Sequence, residues 1–224
     1  RLYNITFRPL KAPSYHTECE VYEVIDNNDK PLGVLYFDLH PREGKSSGAW
    51  CGTYVDQSYK DGQRVSPVVS IVCNFTRPVG STPALLSIDE TETLFHEFGH
   101  ALHSLFAEVK YKGLANVEGD FVELPSQIME NWAFAPEMLR QYAVHYRTGE
   151  VIPDEIINKI SKASKFNEGF ATTELVAAAL ADLDIHSLQS ADKIDVMEFE
   201  RNALTDKRGL IPQIEPRYHY TYFS

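Results

Sequence analysis

Two histidines four residues apart, His96 and His100, with Glu97 directly after the first and Gly99 between them, are the residues of this chain whose types and spacing could do chemistry. On a helix, positions i and i+4 lie on one face with their Cβ atoms about 6 Å apart, so two imidazoles can converge on one metal ion. Glu97 projects from the adjacent position, where its carboxylate can take a proton from a water that zinc has acidified to a pKa of about 7. Five consecutive residues thus propose a metal, a base and a hydrolysis.

Since a catalytic zinc takes three protein ligands and leaves a position for water, a further ligand must come from elsewhere. The metzincin pattern requires a glycine and then a histidine at the positions held here by His103 and Phe106, so that arrangement is excluded. Downstream carboxylates are Glu108, Glu118, Asp120, Glu123 and Glu130. Glu108 lies on the same helix, too far along it to reach back, which leaves the later four. Glu123 is the best placed, because it enters a second helix for which Pro125 suits an early position, and Glu130 follows seven residues later on the same face. Such a pair reads as one ligand and one outer acceptor that orients a ligating imidazole. Glu118 and His103 are further candidates for the surroundings of the ion.

The first histidine pair needs a helix, and the flanks supply one. Ser87 or Asp89 can cap its start, Glu90 and Glu92 suit the positive end of the helix dipole, and Leu94, Phe95, Phe98, Ala101, Leu102, Leu105 and Phe106 recur at helical spacing. Residues 89–107 are read as one amphipathic, mostly buried helix. Gly99 in its interior costs about 1 kcal/mol relative to alanine and implies close approach of another element or of substrate. Before residue 83 the pattern is different: Val21–Ile25 and Gly33–Leu39 flank a turn cluster at 26–31, and Ala49–Val55 and Val68–Cys73 add two strands. After the site, Pro136 opens a helix running to about Arg147, Pro153 and Asp154 open another with a break near Gly169, and 195–205 is a fourth candidate. Val176–Ala181, small and apolar, implies tight helix packing. The fold class is α+β, mainly helical: a small mixed or antiparallel sheet followed by long helices. Residues 1–224 are expected to form a single piece, β-rich over 1–82 and helical over 83–224. An extended peptide could add to the sheet edge, placed at Ser47–Trp50 with Gly48 and Ala49 at its centre, and lie across the metal.

These blocks resemble the thimet oligopeptidase family of zinc peptidases (peptidase family M3), most of all its bacterial peptidyl-dipeptidase, or dipeptidyl carboxypeptidase, branch. The matching stretches are Tyr36–Leu39 with Pro41–Lys45, Gly48–Trp50, Val72–Phe75, Leu94–His103 and Asp120–Trp132, with fainter likeness at Phe166-Asn167 and Pro216–Tyr218. The resemblance implies a zincin-like, neurolysin-like catalytic core, one Zn2+ held by His96, His100 and Glu123, Glu97 as general base, and short peptides as substrates, with release of C-terminal dipeptides favoured over endo-cleavage. Lys112–Gly119 departs from the family's usual Gly-Thr-Asn loop. The chain begins at Arg1 and stops at Ser224, where family members continue into substrate-binding residues, so it is expected to be a central fragment of the catalytic domain; the alternative from another class is a peptide-binding fragment without turnover.

Composition agrees. A chain of 224 residues with 43% hydrophobic content can bury a sizeable core. Its net charge of -11 provides no basic patch for phosphates, which argues against nucleic acids and anionic membranes as partners. Cys19, Cys51 and Cys73 are odd in number and lack metal-type spacing, so all three are expected reduced. No apolar run approaches the roughly 20 residues of a membrane span and no signal peptide is visible, so a cytoplasmic location is expected, with a periplasmic or secreted form as the alternative because the natural N-terminus is not in this sequence; a monomer is favoured.

Overall fold

A computed structural model describes residues 2–190 and 193–214. The chain divides into two compact units, Arg1–Pro153 and Asp154–Ser224. Where one piece was expected, contacts divide the chain after Pro153; the change of character near residue 83 is a change of secondary structure inside the first unit, because its long helix packs on the sheet. The class is α+β with a mixed sheet, in keeping with the sequence reading.

In the first unit, strands β1 (Thr6–Pro9), β2 (Glu20–Ile25), β3 (Pro31–Asp38), β4 (Trp50–Val55) and β7 (Val68–Val72) form one sheet in the order β1-β2-β3-β7-β4. All neighbours are antiparallel except β3 and β7. The turn between β2 and β3 follows from its chemistry. Asp26 Oδ1 accepts the N–H groups of Asn28 and Lys30 at 2.8 and 2.9 Å, and Asp29 takes a left-handed φ of 59°. Val24, Leu35, Val69, Ile71 and Cys73 then form the inner face of the sheet. A separate hairpin, β5 (Ser58–Lys60) with β6 (Gln63–Val65), turns at Asp61-Gly62, both at positive φ. The strand assignment from sequence omitted β1 and this hairpin, although Asp-Gly was an available signal.

Helix α1 (Ile88–Phe106) begins at a capping box: Ser87 Oγ accepts from Glu90 N–H at 3.1 Å, and Glu90 Oε2 accepts from Ser87 N–H at 2.8 Å. Ala101 and Leu105 enter the core formed by the sheet. Helix α2 (Glu123–Ala133) crosses α1 at Gly99, and the reason for that glycine is steric. A Cβ there would lie 2.6 Å from both Pro125 O and Ser126 Cα. Helix α3 (Pro136–Tyr142) is shorter than expected, since the backbone bonds His145 N–H to Glu150 O and Ile152 N–H to Ala143 O, both spanning Thr148-Gly149, fold 143–152 into a tight hairpin.

The loop before β4 is organised by a buried carboxylate. Asp38 is 2% exposed and receives Arg42 Nη1 and Nη2 at 2.6 and 2.8 Å, Lys45 Nζ at 3.1 Å and the Tyr15 hydroxyl at 3.0 Å. Lys45 also donates to the carbonyls of His40 and Cys73, and Asn74 Nδ2 donates to those of Ser46 and Gly48 at 2.8 Å each. Residues 41–49 therefore reach β4 along one fixed path.

The second unit contains α4 (Asp154–Ala163), α5 (Glu168–His186) and α6 (Val196–Arg201), the last capped by Asp195 and continued by a π-helical stretch, Asn202–Asp206. The expected break lies just before Gly169, at Asn167 with φ 56°. Ala177 and Ala181 are buried against Ala203 and Leu204, as the small-residue run implied. Pro216–Tyr218 and the C-terminal tyrosines lie outside the described residues.

Two outcomes follow from these contacts. Gly99→Ala should lower unfolding stability by about 1–3 kcal/mol through overpacking and, by pushing α2 off α1, weaken metal binding at the site below; thermal melts and metal titration of the variant check both. Burial pushes the Asp38 carboxyl up, but Arg42, Lys45 and Tyr15 outweigh it and hold it at about 2, below the ordinary 3.8. A depressed carboxylate contributes stability above its unfolded pKa and loses it as the pH falls toward the folded value, so Asp38→Asn should cost about 2 kcal/mol above pH 4, and the gap from wild type should close from about pH 4 to about pH 2 in urea titrations.

Candidate metal centre

The crossing of α1 and α2 at Gly99 determines what meets next to it. His96 and His100 stand one turn apart on α1, with ring centroids 5.0 Å apart. Glu123, the first residue of α2, brings Oε2 to 3.2 Å from the Nε2 of His96 and 3.2 Å from that of His100. One ligand atom from each residue lies within 4.8 Å of the others, and among the described residues no other group of three or more such side chains converges in this way. Glu123 is steadied by Ser126, whose buried hydroxyl donates to Oε2 at 2.8 Å and to the Glu123 carbonyl at 2.9 Å.

Glu130 lies one face-repeat along α2 and meets Nδ1 of His96 at 2.6 Å. Its carboxylate holds the proton on Nδ1 and turns the Nε2 lone pair toward Glu123 and His100. Burial pushes the His100 imidazole pKa down, against the pull of Glu123, so the neutral form, the one able to ligate, is favoured.

Glu97 faces the sheet side of the same site. The residue is 6% exposed, and its Oε2 is buried without a hydrogen-bond partner among the described residues. Burial raises its pKa, the Glu123 carboxylate adds to the rise, and His96 opposes it. The thiols of Cys51 and Cys73 are both pushed up to about 12, first by burial and then by the charge of Glu97, so they are inert neighbours. All three cysteines are unpaired.

These groups open onto a cleft of about 580 Å³, lined by Ala49–Thr53, Asp56 and Gln57 from β4 and its flanks, by His96, Glu97, His100, His103 and Ser104 from α1, and by Ala115–Val117, Val122 and Glu123. Strand β4 is the last strand of its sheet, and its residues form one wall. Ala49 lines the cleft. Gly48 does not: it stands at the bend before β4 with φ 86° and its carbonyl is taken by Asn74, so the edge starts later than Ser47.

His103 lines the cleft without a hydrogen bond to the cluster. Glu118 is not brought to it at all; its side chain is exposed, while its carbonyl accepts the N–H groups of Phe121 and Val122 in the turn into α2. Sequence reasoning missed Ser126 and Gln57. Ser126 stands three residues after Glu123, a spacing at which a hydroxyl on the first helical turn reaches back, and that signal was available. Gln57 offered none.

The model of peptidase family M3 matches residues 1–224. Dipeptidyl carboxypeptidase of Escherichia coli (strain K12) is 42% identical over 228 aligned residues, covering 100% of this chain and 33% of that protein. Oligopeptidase A of the same organism is 39% identical over 84% of this chain and 28% of its own length, and a thimet-like oligopeptidase of Dictyostelium discoideum is 34% identical over 92% and 32%. The chain thus spans about a third of the length of these relatives. With the family pattern running from the first residue to the last, and the His-Glu cleft folded from its centre, the chain belongs to peptidase family M3.

Proposed function

We propose that this chain carries the catalytic centre of a zinc-dependent peptidase acting on short, unstructured peptides, within a zincin-like core. The observation that carries the reading is the convergence of His96 Nε2, His100 Nε2 and Glu123 Oε2, at 3.2 Å from each nitrogen to the shared oxygen. Tetrahedral zinc with ligand bonds of about 2.0–2.1 Å places neighbouring ligand atoms about 3.3 Å apart, close to the 3.2 Å between each imidazole nitrogen and the Glu123 oxygen. Their chemistry fits as well: two imidazoles and a carboxylate, with Glu130 setting the tautomer of the first.

When bound, zinc would supply a Lewis acid that polarises the scissile carbonyl and acidifies the attacking water. Everything else falls to the protein. Glu97, buried and with its pKa raised, is a stronger base than an exposed glutamate, and its unpartnered Oε2 is free to accept the proton of the attacking water. The same carboxyl then passes that proton to the departing amine nitrogen. The open edge of β4 offers main-chain groups to an extended peptide, holding it as an added strand across the cleft.

Within this reading, release of C-terminal dipeptides is favoured by the 42% identity to dipeptidyl carboxypeptidase, and the likeness to oligopeptidase A supports endo-cleavage as the second reading. The described cleft lining holds carboxylates and imidazoles and no lysine or arginine, so the group that reads a free C-terminal carboxylate is assigned to a part of the protein outside that lining.

In the full-length protein, Glu97→Gln should keep one zinc per chain and lose about a hundredfold to ten-thousandfold in kcat; hydrolysis at the wild-type rate would remove Glu97 from the base role. Glu123→Ala should lose stoichiometric zinc, and Glu130→Ala should weaken zinc about 10–100-fold, both read by metal analysis after dialysis. Mass spectrometry of products from a peptide with a free or an amidated C-terminus separates the two specificities: amidation abolishes dipeptide release and spares internal cleavage.

A further inference from the structure

We propose that Gln57 is a positioning residue that shapes one wall of the peptide cleft by tethering the segment that follows α1; the proposal rests on the peptidase reading given above. Gln57 is 1% exposed, yet it borders the cleft at the end of β4. Its Oε1 accepts the N–H of Val109 at 2.7 Å, and its Nε2 donates to the Ser58 carbonyl at 3.2 Å. One side chain thereby joins the strand side of the cleft to the point where the chain leaves α1.

That junction matters because of what it carries. Residues 107–122 run from the end of α1 to the start of α2 and contribute Ala115, Asn116 and Val117 to the cleft wall. Between Val109 and Glu118 the described backbone hydrogen bonds are two long turn bonds, Leu114 N–H to Tyr111 O at 3.3 Å and Asn116 N–H to Gly113 O at 3.4 Å. Most side chains there are exposed, so the segment has little packing of its own to fix its direction.

The β5–β6 hairpin secures the neighbouring groups but stops short of Val109. Arg64 Nη2 donates to the carbonyls of Leu105 and Ala107 at 3.4 and 3.2 Å, satisfying the end of α1; Arg64 Nε donates to Glu108 Oε2 at 3.2 Å, and the Tyr59 hydroxyl donates to Glu108 Oε1. The first amide beyond Glu108 belongs to Gln57. Loss of its acceptor leaves the Val109 N–H unpaired and lets the segment pivot, which moves the wall without touching His96, His100, Glu123 or Glu97.

The test compares Gln57→Leu with Gln57→Glu in the full-length protein, since a neutral glutamic acid at this buried place can accept from the Val109 N–H through one oxygen and donate to the Ser58 carbonyl through its hydroxyl. Gln57→Leu should raise KM for a short peptide about fivefold to tenfold with kcat within about twofold, and speed amide exchange over 109–122 about tenfold while α1 and the sheet stay protected. Gln57→Glu should restore both. Wild-type KM and exchange in the leucine variant, a loss confined to kcat, exchange quickened across the whole first unit, or a glutamate variant as impaired as the leucine one would each overturn the tether. A zinc-loaded wild type that cleaves no peptide would overturn the peptidase reading instead, and the exchange measurement would still decide the tether.

Discussion

The site depends on one steric fact: at Gly99 the backbone of α2 lies against α1 with no room for a Cβ. With no side chain at Gly99 the backbone at Pro125 and Ser126 lies directly on α1, and this contact is what lets a carboxylate at the very start of α2 reach two imidazoles on α1. The same approach lays α2 beside His96 two turns further on, so that Glu130 meets its other nitrogen. Pro125 and Ser126 form the contact surface, and Ser126 also holds the Glu123 carboxylate. Packing and the geometry of the His-Glu cluster are therefore one constraint.

Two buried carboxylates show how environment divides labour. Asp38 and Glu97 are both almost fully buried. Asp38 is surrounded by Arg42, Lys45 and Tyr15, stays ionised, and serves as the post on which the loop before β4 is hung. Glu97 has burial and the like charge of Glu123 against it, with only His96 in its favour, and one of its oxygens is unpartnered. A carboxylate with satisfied bonds holds structure; one left unsatisfied beside a cleft is available for proton transfer.

Much of the fold was legible because its signals are local. The capping box at Ser87 and Glu90, the apolar spacing through Leu105 and the turn at 26–31 each specify their own conformation from neighbouring residues, and their elements appear within a residue or two of the expected bounds. The β5–β6 hairpin and Ser126 were missed despite local signals; the other misses depend on contacts with residues outside the segment concerned. Strand β1 has only four residues and is exposed along its length, so it exists through pairing with β2 and carries no burial pattern of its own. Helix α3 ends early because bonds across 143–152 compete with its continuation. Gln57 resembles any polar residue after a strand, and its contact with Val109 depends on how hairpin and helix end are brought together.

By itself the sequence determined the chemistry on offer: the i, i+4 imidazoles, the carboxyl of Glu97 between them, the glycine that had to face something close, and Glu123 as the favoured carboxylate to join the two imidazoles. Those follow from helix periodicity and side-chain type, which need no knowledge of distant contacts. Tertiary structure decided which of the remaining groups take part. It brought Glu130 and Ser126 to the cluster, left Glu118 in solvent, let His103 face the cleft without joining the cluster, and made β4 rather than Gly48 the cleft's edge. The physical reason is that a carboxylate's reach is a few ångströms, whereas the register that spends or withholds that reach is set by helix crossing and sheet order across the whole first unit.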